Sequence, residues 1–177
     1  MKKILFLGIT ILFFLNSKAQ NSTTRYDTCQ YVAQFAGEWL YVNLLDTIRI
    51  CLRHKRDYSA SNNHVSDKLY GWIEYKHGNT VIESTYQNKD MVLPYYADTT
   101  PDIPTSILIR PYNCWFFRNF EGSITDYNQA KEIHMVKATF NPTNTELTWS
   151  QRFSEWHGAV SGAHGMTLPR VFILKRQ

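Results

Sequence analysis

Thr47-Ile48-Arg49-Ile50-Cys51-Leu52-Arg53-His54 alternates without a break. Ile48, Ile50 and Leu52 fall on one side, and Thr47, Arg49, Cys51 and Arg53 on the other. Successive side chains of a strand point to opposite faces, so this pattern predicts a strand with one face buried. Residues 68–76 repeat it, with Leu69, Gly71, Ile73 and Tyr75 opposed by Tyr70, Trp72 and Glu74. His77-Gly78-Asn79 is a turn signal before a further run at 80–86, so residues 68–86 read as a β-hairpin.

Outward from this hairpin the character stays β. Residues 39–44 are apolar and aromatic, after a possible helical turn over 31–36 that ends at Gly37. Residues 87–105 hold Pro94, Pro101 and Pro104 and read as a long loop. Strands are expected again at 106–110, 114–120 and 132–140. Asn141-Pro142-Thr143-Asn144 then turns the chain into a strand at 146–153. A Gly-rich loop over 154–166 precedes a last strand at 168–175, with Pro169 confined to its start, where proline is tolerated. About nine short strands and no long 3.6-residue period predict an all-β fold, an antiparallel meander barrel of about 8–10 strands. In the last strand Val171 and Ile173 alternate with Phe172 and Leu174. Both faces are apolar, so both are expected to be covered, with the strand closing the sheet beside the first one.

The N-terminus has another logic. Met1-Lys2-Lys3 is basic, residues 4–15 are almost wholly apolar, and Ser17 and Ala19 are small. This is the order of a secretory signal peptide. The apolar run falls short of the ~20 residues that a membrane-spanning helix needs. The expectation is cleavage after Ala19, a flexible segment over 20–30, one β-barrel domain over 31–177, and a secreted or periplasmic protein with no integral membrane segment. The chain carries a formal +4, but Lys2, Lys3 and Lys18 would leave with the signal. A nearly neutral remainder lacks the clustered cations that nucleic acid requires. Cys29, Cys51 and Cys114 make an odd count, which leaves at least one thiol unpaired in an oxidising compartment. Their pairing stays open.

Gly37-Glu38-Trp39 heads the first strand, and Arg170 and Arg176 lie in the last. This resembles the lipocalin-like (calycin) arrangement, in which a Gly-x-Trp opens the first strand and a late basic residue packs over the indole. The resemblance implies that Arg170 or Arg176 approaches Trp39. The wider layout, from Phe35-Ala36-Gly37-Glu38-Trp39-Leu40-Tyr41 through Leu147-Thr148-Trp149 to Ile173-Leu174-Lys175, is similar to an uncharacterised family of small exported Bacteroidetes proteins. That likeness implies export and β-architecture and carries no catalytic residues. Asp46-Thr47-Ile48 and Asp98-Thr99-Thr100 resemble the sites on which such proteins carry O-linked glycans, the second better placed in a loop.

Chemistry is sparse. His157 and His164 flank a glycine-rich stretch near Glu155, but match no compact metal-ligand spacing. His54, His64, His77 and His134 are scattered over separate elements and read as structural. Glu74 and Glu83 lie on the two arms of the hairpin and are the carboxylate pair a glycosidase would use, if they face each other. No catalytic residue, metal or cofactor is expected. Aromatic density is the remaining signal. Trp39, Tyr70, Trp72, Tyr75, Trp115 and Trp149 can fill a barrel core or line a site for a small apolar ligand. The leading expectation is a binding protein. A hydrolase acting on an extracytoplasmic glycan or peptide is the alternative.

Overall fold

The computed structural model describes residues 25–27, 30–59, 63–93, 106–109, 118–128, 132–152 and 167–177. Its strands are β1 (Arg25–Asp27), β2 (Gly37–Asn43), β3 (Asp46–Ser59), β4 (His64–His77), β5 (Thr80–Ser84), β6 (Ile107–Ile109), β7 (Asn119–Asp126), β8 (Glu132–Phe140), β9 (Glu146–Arg152) and β10 (Val171–Arg176). A 3-10 helix, Gln30–Phe35, precedes β2, and a second, Tyr86–Asn88, follows β5. Residues 1–19, Cys29, Asp98 to Thr100, Cys114, Trp115, His157 and His164 lie outside the described residues.

The strands run β4-β3-β2-β10-β9-β8-β7-β6, and β6 pairs again with β4, so eight antiparallel strands close a barrel. Within the barrel, with β5 set aside, neighbours in the sheet are neighbours in the chain and β10 joins back to β2, while β1 lies parallel to β4 outside it. This is the expected lipocalin-like meander. β3 and β4 are longer than the sequence pattern marked, each a 14-residue strand. Their ladder continues past the apolar stretch through residues whose charges pair across it. Asp67 meets Arg56 at 3.0 Å and His54 at 3.2 Å. Asp57 meets Lys68 at 3.1 Å and accepts the Tyr70 hydroxyl. Both carboxylates are buried, and such groups persist only when paired.

One long edge of β4 serves three partners in turn: β1 at residues 64–66, β6 at 69–71 and β5 at 74–77. Gly71 makes the middle handover feasible. A Cβ there would stand 2.6 Å from the Ile107 Cβ, too close for any side chain.

The core is a layered filling. Ile48, Ile50, Leu69, Ile73, Ile107, Ile109, Val136, Leu147, Trp149 and Leu174 are 0% exposed, so no water-sized space adjoins them. Trp149 stacks on Phe172 and meets Phe120 edge-on, and Phe35 stacks on Phe140. The expected phase of β3 and of β8 holds, with Val136, Ala138 and Phe140 inward and Met135 outward. One expectation fails. The outer face of β10 is not covered: Val171 is 62% and Ile173 49% exposed, while Phe172 and Leu174 alone pack inward. Of the strand expected over 114–120, residues 114–117 lie outside the described residues; the described strand runs from Asn119 to Asp126, so its larger part went unmarked. There Gly122 and Asp126 stand among the apolar positions and hide the alternation.

Candidate functional site

The two ends of the barrel are built differently. At one end the 3-10 helix Gln30–Phe35 plugs the opening with Val32 and Phe35, both 0% exposed. The Trp39 indole N–H donates to the Phe35 carbonyl at 3.0 Å. The Arg176 guanidinium lies 4.6 Å from the Trp39 ring and donates to the carbonyls of Ala36 and Gln34. Of the two arginines the sequence offered, Arg176 makes this contact. It is the register partner of Trp39 across the β2–β10 seam. Gly37 holds φ +136°, a conformation that side-chain-bearing residues avoid, and so turns the plug into β2.

The opposite end carries the polar chemistry. It is formed by the β2–β3 turn, the β4–β5 turn and the ends of β5 and β7. Asp46 accepts the Tyr75 hydroxyl at 3.0 Å and meets His77 Nδ1 at 2.8 Å. These two contacts, that of His77 first, hold the Asp46 carboxyl below its usual range. Burial and then the Asp46 bond push the Tyr75 hydroxyl up. Deeper, Glu83 on β5 and Asp126 at the end of β7 are 6% and 2% exposed and share a carboxyl–carboxyl hydrogen bond. Burial, opposed by the Tyr127 N–H and reinforced by the Asp126 charge, raises the Glu83 carboxyl to about 7. Two buried carboxyls in contact share one proton more readily than they both ionise. Asp126 also accepts the Thr167 N–H at 2.6 Å and the Thr167 hydroxyl at 3.0 Å.

The β2–β3 turn at this end is apolar: Leu44 and Leu45 are 98% and 58% exposed. Val42 and Val81, beside the two turns, alternate onto the outer wall. The two turns touch, since the Gly78 N–H donates to the Leu45 carbonyl at 2.6 Å. Leu44 sits at φ +45°, a left-handed position where Asn or Gly is the ordinary choice.

The aromatic residues singled out in the sequence divide between two faces. Trp39 and Trp149 stand inside the barrel, and half-buried Tyr75 packs against the same core. Tyr70 and Trp72 alternate with them onto the outer face of β4 and do not join that cluster. Trp72 is 0% exposed, with the Arg53 guanidinium 5.6 Å from its ring; Arg53 also donates to the carbonyls of Lys89 and Met91, both at 2.7 Å, and so ties a strap of residues 86–91 to this face. A 2.6 Å pair between Lys89 and Glu38 fastens the same strap and lowers the Glu38 carboxyl. Cys51 is a free thiol under it, and its burial raises the thiol's pKa.

Glu74 and Glu83 do not face each other. Glu83 is the register partner of Tyr75, whereas Glu74 pairs with Ser84. Alternation therefore puts the two acids on opposite faces. Glu74 instead meets Lys76 at 3.0 Å and Arg49 at 3.9 Å. The carboxyl that Glu83 does meet, Asp126, went unnoticed in the sequence. Its signal was there: Phe120, Gly122, Ile124 and Asp126 share one face, and an acid closing an apolar face is a buried acid. Among the described residues no three His, Cys, Asp or Glu side chains gather as metal ligands, and no helix is long and apolar enough to cross a membrane.

Residues 1–115 match a family described as "Family of unknown function (DUF6705)". The chain belongs to this family. The matched span of DUF6705 takes in the plug, Trp39, Tyr75 and Glu83, and stops short of Asp126 and Arg176. No curated protein and no solved structure matches the chain.

Proposed function

We propose that this DUF6705 protein is an exported binding protein that takes a small apolar molecule at the open end of its barrel. The observation carrying the proposal is the contrast between the ends. One is plugged by Gln30–Phe35; at the other no helix among the described residues does the same, and Leu44 and Leu45 stand exposed beside half-buried Tyr41 and Tyr75. Binding sites combine apolar lining with a few placed polar groups. Here Asp46, His77 and the Tyr75 hydroxyl supply them. The core below is filled, so the ligand rests above Ile48 and Ile73 rather than among them.

Leu44 supports the reading. A fully exposed leucine in a left-handed turn position carries a local conformational cost with no packing to offset it, and such strain gathers at functional sites. Export rests on residues 1–19, and N-terminal mass analysis of secreted protein should find the chain beginning at Gln20. The binding test uses anilinonaphthalene sulfonate as an apolar probe. Saturable binding should be lost in Leu45→Asp and weakened in Leu44→Asn, and kept in Val171→Lys, which alters an exposed apolar residue on the barrel's outer wall. Absence of saturable binding, or loss in Val171→Lys alone, overturns the proposal.

A further inference from the structure

The barrel wall has a seam. β6 closes it only at Leu69 to Gly71, and toward the open end β5 takes over the edge of β4. Among the described residues, β5 pairs with β4 alone and forms no backbone ladder with β7. Side chains join the two instead. The Glu83 carboxyl receives the Tyr127 N–H at 3.1 Å and bonds the Asp126 carboxyl, and the Asn128 amide donates to the Ile82 carbonyl at 2.6 Å. Asp126 in turn holds Thr167, at the approach to β10.

Thr85 marks where the seam begins. Its N–H donates to the Ile73 carbonyl at 2.8 Å, its hydroxyl accepts the Ile73 N–H at 3.2 Å, and it meets the Ser106 hydroxyl at 2.5 Å. Thr85 and Ser106 are both buried, so this junction between the β5 and β6 segments is fixed on both sides. Beyond it, β5 is anchored to β4 and only clasped to β7.

We propose that β5 is a flap in the barrel wall, latched to β7 by a proton shared between Glu83 and Asp126, and that loss of this proton opens the seam beside the barrel's open end. With the proton present, one carboxyl of the pair donates to the other. Without it, two carboxylates face each other in a water-poor gap. Opening relieves the repulsion and hydrates Glu83, while the β4–β5 ladder stays intact. The charged and titratable groups facing Glu83 are Asp126 and Tyr127 from the β7 side and its cross-strand partner Tyr75 on β4. Tyr127 and Tyr75 stay neutral throughout, as burial raises both hydroxyls above their usual value of 10. The transition therefore belongs to the carboxyl pair and falls near pH 7, where Glu83 releases its proton.

Site-resolved hydrogen exchange on the full mature chain tests the latch without any ligand, so its outcome is independent of the binding proposal. After correction for intrinsic exchange, protection of the Tyr127 and Thr167 amides should fall by about tenfold per pH unit between the ordinary carboxyl value of 4.5 and about 7, and level off above that. The Ile50 and Leu52 amides of the barrel wall should keep theirs. In Glu83→Gln, which cannot ionise, the fall should vanish. The carbon-13 titration of the wild-type Glu83 carboxyl gives a second reading that needs no variant, with a midpoint at the pH where the loss of protection levels off. A flat profile at Tyr127 and Thr167, a fall shared by all strands together, or a fall that persists in Glu83→Gln would each overturn the flap.

Discussion

The plugged end of this barrel and the end opposite it are held by different physics. At the plug, Trp39, Phe35 and Phe140 pack aromatic surface, and the polar contacts run from indole and guanidinium to backbone carbonyls. Indole N–H, guanidinium and backbone carbonyl are, as chemical classes, groups of fixed charge. At the open end, strands meet through carboxyls: Asp46 with Tyr75 and His77, and Glu83 with Asp126. Apolar closure is indifferent to pH, while carboxyl closure depends on it. The comparison separates the part of the molecule that makes the fold from the part free to respond to its surroundings.

The harshest way to break the comparison is to remove the strand that both ends share. Cutting the chain after Thr167 deletes β10, with buried Leu168, Phe172 and Leu174, and bares the edges of β2 and β9. The truncated chain should fail to fold or should aggregate. A soluble product that unfolds cooperatively would show that the barrel does not need this closure.

Next in size is the plug itself. Trp39 is 1% exposed, and Trp39→Ala should lose about 3–5 kcal/mol in chemical denaturation. A loss below ~1 kcal/mol would make the indole peripheral. The loss should be equal at pH 5 and pH 8, because the indole's polar partners are a guanidinium and a backbone carbonyl, groups of fixed charge.

The open end should behave the other way. The Glu83 carboxyl, ordinarily at 4.5, is raised to about 7 in the fold. The folded state therefore holds this proton more tightly than the unfolded chain does. The stability it contributes is complete below pH ~4.5 and is lost as pH rises through ~7, by on the order of 2–3 kcal/mol. Release of β5 into water would make the loss smaller. Denaturation of Glu83→Gln across that window should show the slope removed. A wild-type stability that rises between pH 5 and 7 would contradict the assignment.

The smallest effect concerns the clip over the indole. Arg176 is exposed, and its stacking on Trp39 is worth about 0.5–1 kcal/mol at such a position. Arg176→Gln should destabilise by that order, and Arg176→Lys by less. A loss of several kcal/mol would mean that the guanidinium, rather than the packing, holds the plug.

The plugged end was more legible in the sequence than the open end. Gly37-Glu38-Trp39 and a late arginine point to each other because the geometry they need is short-ranged and repeated. Period-2 alternation found β3, β4 and β8 for the same reason: one buried face writes itself into every second residue. It failed at β7, where Gly122 and Asp126 interrupt the apolar face for structural reasons of their own. It also misread β10, whose outer Val171 and Ile173 are exposed. The carboxyl clasp joins residues far apart in the chain, and only the register of β5 on β4 shows that Glu83 faces inward while Glu74 does not. Register depends on the bulge between Tyr75 and Lys76, which no residue in that stretch announces.

The claim that the open end is the working end is tested most directly by mapping amide chemical shifts while an apolar probe is titrated into nitrogen-15-labelled mature protein. The account predicts shifts gathered over Tyr41 to Ile48, Tyr75 to Thr85 and Tyr127, with Gln30 to Phe35, Trp39 and Arg176 unmoved. Shifts centred on the plug, or spread evenly over the barrel's outer wall, would contradict it.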